Sequence, residues 1–193
     1  MSERNGGLTS QMPPSFGRRL LAILIDYALI VAYLAVLTLV AVVVAGMTGG
    51  FAHWLAFGTL GAELLGFVTL VLPVGIYLYA AEASVWQATV GKRALRLRVI
   101  DETNGGRPGR IRILVRTVVK LIPWELAHFF VWQAVAAGSL SVFPVWVSVG
   151  IAGANLLPIA YVVCVLLQRE RRGPHDLVAG TRVVSVRRGK RLG

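Results

Sequence analysis

The twenty Lys and Arg residues fall into three blocks, at 4–19, 92–120 and 169–191, and the two long stretches between them contain none. Those stretches, 20–91 and 121–168, are mostly apolar, and each is long enough to cross a bilayer out and back. A chain that does so twice leaves every basic residue on one side of the membrane. In a bacterial-type inner membrane that side is the cytoplasm. The expected architecture is an all-α integral membrane protein with four transmembrane helices and both termini cytoplasmic.

Composition agrees. Hydrophobic residues make up 56% of the chain and mean hydropathy is +0.69, well above a soluble domain. The formal net charge of +11 would suggest nucleic acid in a soluble protein. Here topology accounts for it, and the expected partners are anionic lipids, not nucleic acid. The lone Cys164 lies in an apolar run, which excludes a disulfide framework and points to packing.

Residues 1–15, with Gly6, Gly7, Pro13 and Pro14, read as a disordered cytoplasmic leader, and 16–184 as the membrane domain. Helix one is predicted over about 16–45, closing at Gly46, Gly49 and Gly50, followed by an outer loop holding His53 and Trp54. Helix two is predicted over about 61–81, kinked by Pro73 and Gly75. Period-two alternation around Asn104-Gly105 predicts a small cytoplasmic β-hairpin at about 92–113. Beyond it Arg112, Arg116 and Lys120 recur every four residues, as in an in-plane amphipathic helix or the wet start of helix three. Pro123 is expected to separate this segment from the membrane part, about 124–137. Helix four follows over about 145–167, then a possible strand at 181–186, which could pair with the hairpin, and a basic tail at 185–193.

Asp26 is the sharpest candidate for chemistry. A carboxylate inside a membrane helix costs about 2.5–3.5 kcal/mol on insertion scales, so it should face the bundle interior and find a partner. Arg19, seven residues earlier, lies on the same helical face roughly 10 Å away. The two are expected to share a polar seam, either functional or a packing strut, and in that case Arg19→Leu should harm folding more than Asp26→Leu. Glu125 and His128 stand one turn apart, a spacing found in bundle metal sites when other helices add carboxylates. Here a single copy supports neither a metal nor any other cofactor, and a proton relay or a structural hydrogen bond also fits. Glu63 and Glu82, near the interfaces, read as solvated carboxylates. Thr89-Val90-Gly91-Lys92 resembles the end of a phosphate loop but lacks the upstream glycine. With no catalytic triad, HExxH or CxxC pattern, an enzyme is not expected.

Three segments together resemble the RDD family of polytopic membrane proteins, named for one Arg and two Asp. They are Arg19 to Asp26, then Thr89-x-Gly91-Lys92-Arg93 ahead of Leu97-Arg98-Val99, then His175-Asp176-Leu177 ahead of Ala179-Gly180-Thr181 and Val183-Val184. The resemblance implies Arg19, Asp26 and Asp176 as the name-giving residues, with Arg18 adjacent to the first. Arg96 departs from the family, many of whose members have a small residue there, often Gly. Family members suggest transport of unknown ligands, with cation/proton exchange for some, and others look like regulators of membrane enzymes. Two functions are therefore expected: an exchanger working through Arg19 and Asp26, or a non-catalytic subunit that assembles with another membrane protein. Asp176 follows a basic run and should sit at the cytoplasmic mouth, as part of such a site or as a helix cap. An intramembrane carboxylate tilts the choice towards transport, which with so few helices would need a homo-oligomer.

Overall fold

The computed structural model describes residues 13–50, 58–137, 144–168 and 170–186. Helix α1, Phe16–Thr48, starts where the Ser15 hydroxyl accepts the Arg18 N–H at 3.4 Å, a serine N-cap. It stops at Gly49, whose φ of 84° is the left-handed conformation that ends helices. Its 33 residues rise roughly 50 Å, against about 30 Å for a hydrocarbon layer, so one end stands clear of the apolar zone. Arg18, Arg19 and Asp26 all lie near its start and residues 27–48 carry no charge, so the protruding end is the N-terminal one.

Residues 58–83 form one continuous span built from helix α2 (Gly58–Gly66), a π-helical turn (Phe67–Val71) and helix α3 (Leu72–Ala83). The π turn ends just ahead of Pro73, which with Gly75 was expected to kink this span. Pro73 has no N–H for the Thr69 carbonyl four residues back, and the Tyr33 hydroxyl of α1 donates to that carbonyl at 2.5 Å instead. The chain continues through a short helix α4 (Val90–Ala94), strand β1 (Leu97–Asp101) and helix α5 (Arg110–Ala136). Helix α6 (Val145–Leu167), helix α7 (Pro174–Ala179) and strand β2 (Thr181–Ser185) complete it.

Two expectations are corrected here. The hairpin at 92–113 does not form: β1 pairs antiparallel with β2, in the register Leu97↔Ser185, Val99↔Val183 and Asp101↔Thr181. The stretch Arg110–Ile113, predicted as the returning strand, is instead the first turn of α5, and the four-residue period of Arg112, Arg116 and Lys120 is already running there. Nor does Pro123 divide that helix. The Val119 carbonyl that the proline leaves free accepts the Tyr161 hydroxyl of α6 at 2.8 Å, so the basic segment and the expected membrane part run on as one helix.

Among the described residues, three helical segments are long and apolar enough to cross a membrane: Phe16–Thr48, Gly58–Ala83 and Val145–Leu167. Their side chains are largely exposed on the protein surface, as lipid-facing residues must be, and α6 buries only Val147 and Ala154. The hydrophobic core lies elsewhere. It joins Ala22 of α1, Leu97 and Val99 of β1, Ile113 of α5 and Val183 of β2, with Tyr79, Ala83 and Leu95 packed against it. One face of the small sheet is thus pressed onto the basic ends of α1, α3 and α5. Burying each of its large aliphatic side chains stabilises the assembly by about 1.5–3 kcal/mol. His53, Trp54, most of the leader and the end of the basic tail lie outside the described residues.

Candidate functional site

The polar residues of the basic end form two adjoining clusters. In the first, Asp26 is buried in α1 and takes hydrogen bonds from three donors. Its Oδ1 accepts the Tyr77 hydroxyl at 2.8 Å and the Gly91 N–H at 2.9 Å, and its Oδ2 accepts the Thr89 hydroxyl at 2.6 Å. Thr89 is also the N-cap of α4, and the Val90 N–H donates to the Tyr77 oxygen at 3.2 Å. The free N–H groups of the first turn of α4 are therefore met by Asp26 and Tyr77, and a carboxylate is favoured at that end of a helix. Gly91 makes the approach possible. A Cβ there would lie 2.0 Å from the Ala22 carbonyl oxygen and 3.0 Å from the Asp26 carboxyl carbon.

The second cluster is centred on Arg116, which is 1% exposed although it carries a full charge. Its Nε donates to Glu82 Oε2 at 2.8 Å, and its Nη1 donates to Asp176 Oδ1 and, at 3.0 Å, to the Thr181 hydroxyl. Lys92 and Lys120 both donate to Glu82 Oε1. Asp176 Oδ2 accepts the Gly173 N–H at 3.2 Å and lies 3.9 Å from Arg19 Nη1. Arg19 further donates to the carbonyls of Arg171 and, at 3.1 Å, Val183. Arg18 turns to the end of the sheet, towards Leu95 and Ser185, so Arg19 is the arginine that meets the second aspartate. Arg112, one turn before Arg116, reaches Asp101 and the Gly180 carbonyl. The basic stripe of α5 is thus a ladder into carboxylates that three other chain segments supply.

Burial opposes ionisation of Asp176, but the charges of Arg116 and Arg19 outweigh it and hold the carboxyl far below the usual range. Burial also pushes His175 well below its ordinary value; Asp176 opposes this, while Arg116, Lys120 and Lys92 add to it. His175 is therefore neutral at physiological pH. Hydrogen bonds from Thr103 hold Asp101 low as well.

The expected seam between Arg19 and Asp26 is corrected. The two share a helix face, yet Arg19 reaches Asp176 and the sheet, while Asp26 binds the loop that opens α4. Asp176 is not the N-cap of α7: Gly173 holds that place, and Asp176 stands three residues on, where its carboxylate reaches back to the Gly173 N–H and pairs with Arg116. Glu82, expected to be solvated, is 0% exposed and holds three cations. Glu63 is half-buried. Glu125 and His128 do adjoin, with His128 Nδ1 3.6 Å from Glu125 Oε2, while His128 Nε2 accepts the Trp132 indole N–H at 2.8 Å. Among the described residues no group of three or more metal-ligating side chains gathers there or elsewhere. Cys164 is a half-buried free thiol.

Tyr77, Thr89, Gly91, Lys92 and Lys120 are site residues that sequence reasoning did not assign. The signal for three of them was the Thr-x-Gly-Lys segment itself. Its threonine and glycine bind Asp26, its lysine binds Glu82, and Arg93 next to it stacks on Trp86, 3.6 Å from the ring centroid.

Apolar spans fastened at one end to a charged platform of sheet and short helices define a multi-pass membrane protein. The family comparison then gives its kin: the RDD family model matches residues 13–180, and the chain belongs to that family. No curated protein and no solved structure matches it.

Proposed function

We propose that this chain is a non-catalytic membrane subunit or regulator that assembles with another membrane protein and presents its charged platform on the cytoplasmic side. One observation carries the reading: Asp26, Glu82 and Asp176 are each saturated by donors from the chain itself, and those bonds join α1, α3, α4, α5 and α7 into one rigid end. A cation exchanger working through Arg19 and Asp26 needs a carboxylate free to take up a cation. The three donors on Asp26 and the separation of Arg19 from it favour a fastening role. The thinly packed spans, in turn, leave room for a partner within the membrane.

In this reading α5 is the fourth crossing and both termini lie in the cytoplasm of a cell with a bacterial-type inner membrane. Its 27 residues rise about 40 Å, enough to span. Its cations Arg112, Arg116 and Lys120 are turned towards carboxylates inside the protein, which offsets the low hydropathy of the helix.

Gentle purification after cross-linking in intact cells tests the proposal. A second membrane polypeptide should copurify, and pure protein in proteoliposomes should be silent for Na⁺, K⁺ and Li⁺ from mildly acidic to mildly alkaline pH. Cation-dependent proton movement that Asp26→Asn abolishes would overturn the subunit reading in favour of exchange.

A further inference from the structure

The first half of α5 is amphipathic in the reverse of the usual sense. At 100° per residue, Arg112, Ile113, Arg116, Thr117 and Lys120 lie on one side and Ile111, Leu114, Val118 and Ile122 on the other. The charged side is the one turned inward, with Ile113 and Arg116 at 0% and 1% exposure. The apolar side faces out, with Ile111 72%, Leu114 47%, Val118 53% and Ile122 41% exposed. A helix on a water-facing domain does the opposite, because burying charge and exposing Ile and Val both cost free energy there.

Two other parts of the platform do the same. In α7, Asp176 is turned inward while Leu177 and Val178 are 38% and 65% exposed. In the turn that follows α3, Val85 is 75% and Trp86 56% exposed, and Val90 at the start of α4 is 49% exposed. Trp86 carries the Arg93 guanidinium on its ring face, which pairs an amphipathic aromatic with a cation as at a headgroup boundary. A shallow groove between α5 and α7 joins two of these surfaces, with Ile111, Val115, Leu177 and Val178 on its apolar wall and Glu102 and Arg112 on its polar one. Exposed to water, so many large apolar groups would form a patch beyond what a soluble surface tolerates.

We infer that the platform does not stand in the cytoplasm but is sunk into the bilayer interface. The outer face of α5, the Leu177–Val178 edge of α7 and the Val85–Trp86 turn form a collar seated at the boundary between headgroups and acyl chains. The occupant of the collar is lipid, because the exposed stripe of α5 runs on past Pro123, one turn from Ile122 to Leu126 (41% and 37% exposed), towards the membrane part of the same helix. The collar buries apolar side chains in the manner of an in-plane helix. Its cations are neutralised from within by Glu82, Asp101 and Asp176, which is why its outer face needs none. The inference does not depend on whether a partner protein binds.

The test uses the full-length chain with Cys164→Ala and single cysteines at Ile111, Val118, Val178 or Val85, spin-labelled in liposomes of pure protein. Asn104→Cys in the loop after β1, an exposed position, serves as the water-exposed reference. Collisions with oxygen, which concentrates in the membrane, should exceed those with a water-soluble nickel chelate at all four positions, and the order should reverse at Asn104. Nickel collisions dominating at Ile111, Val178 and Val85 would overturn the inference and place the platform in water. Low collision with both reagents at these positions would also overturn it, since protein and not lipid would then cover the collar. Each labelled variant should elute as wild type on size exclusion, so a misfolded variant is recognised and replaced by its neighbour, Leu114 for Val118 or Leu177 for Val178.

Discussion

Gly91→Ala isolates the contact on which the placement of α4 depends. The added Cβ would sit 2.0 Å from the Ala22 carbonyl oxygen and 2.9 Å from its carbonyl carbon, and both are backbone atoms inside α1 that cannot rotate away. The α4 turn must therefore retreat by more than an ångström, which stretches the 2.9 Å bond from the Gly91 N–H to Asp26 past hydrogen-bonding range. Overpacking of this kind costs about 1–3 kcal/mol. Losing a hydrogen bond to a charged group costs about 1.5–3 kcal/mol more. The sum, about 2.5–6 kcal/mol, is a large share of the roughly 5–15 kcal/mol that holds a domain folded. In thermal unfolding of detergent-solubilised protein, the midpoint should fall by roughly 5–20 °C. Gly46→Ala is the control: no heavy atom lies within 4 Å of its Cβ position, and alanine in a helix interior should be neutral or stabilise by about 0.5–1 kcal/mol. Equal midpoints for the two variants would refute the close approach of α4 to α1, and with it the account of Asp26.

Asp26→Leu should now be the more damaging change and Arg19→Leu the milder. The first leaves the Tyr77, Thr89 and Gly91 donors without an acceptor, whereas Asp176 keeps Arg116 when Arg19 is removed; the order of their unfolding midpoints checks this. Arg116→Met leaves Glu82 and Asp176 buried without their shared guanidinium and should lower stability by about 3–5 kcal/mol, seen as loss of monodisperse protein on size exclusion. His175 is held neutral in the fold, so the unfolded chain binds the extra proton on acidification. Stability should therefore be full above about pH 6.5 and fall below it, with a second loss below about pH 4 as Asp176 is protonated. His175→Gln should flatten the first limb of a midpoint-against-pH curve and leave the second. Arg96 holds a φ of 53°, so Arg96→Gly should raise stability by about 0.5–1 kcal/mol, and an unchanged or lower midpoint would count against strain at that position.

The spacing of the basic blocks made the apolar spans legible, because charge and hydropathy act residue by residue and need no knowledge of tertiary contacts. The strand at 181–186 was legible for the same local reason, and β2 occupies nearly all of it. The returning strand at Arg110–Ile113 was misread because four alternating residues fit a strand and a helical turn equally well. The longer period through Lys120 decides it, and Gly109 supplies the extended N-cap. The partners of Asp26 were not legible. A helical wheel ranks only residues of the same helix, which brings up Arg19, whereas Tyr77, Thr89 and Gly91 come from 51, 63 and 65 residues away. Glu82 was misjudged for a related reason. Its place at a helix end says that charge is cheap there, but the cations that enclose it come from α4 and α5. Arg96 carried a usable hint: the family often has glycine there, and the backbone is left-handed.

Placing the core at the basic end has a mechanical consequence. The first residue of the family name, Arg19, and the last, Asp176, lie at opposite ends of the chain and meet in the platform, while Asp26 fixes the middle of the chain to the first helix. Asp26 of the first segment is satisfied by Thr89 and Gly91 of the second together with Tyr77 of α3, and Asp176 of the third by Arg116 of α5, so each leaves a buried polar group unmet if its partner segment is withdrawn. The spans are held differently. Away from the platform, two of their cross-links are the Tyr33 and Tyr161 hydroxyls on carbonyls freed by Pro73 and Pro123, single neutral hydrogen bonds worth about 1 kcal/mol each. The spans also meet where a glycine admits a ring: a Cβ at Gly150 of α6 would lie 2.0 Å from Phe130 of α5, and one at Gly66 of α2 would lie 2.4 Å from His128. Close packing at small residues therefore holds the membrane part, while ion pairs and hydrogen bonds hold the charged end.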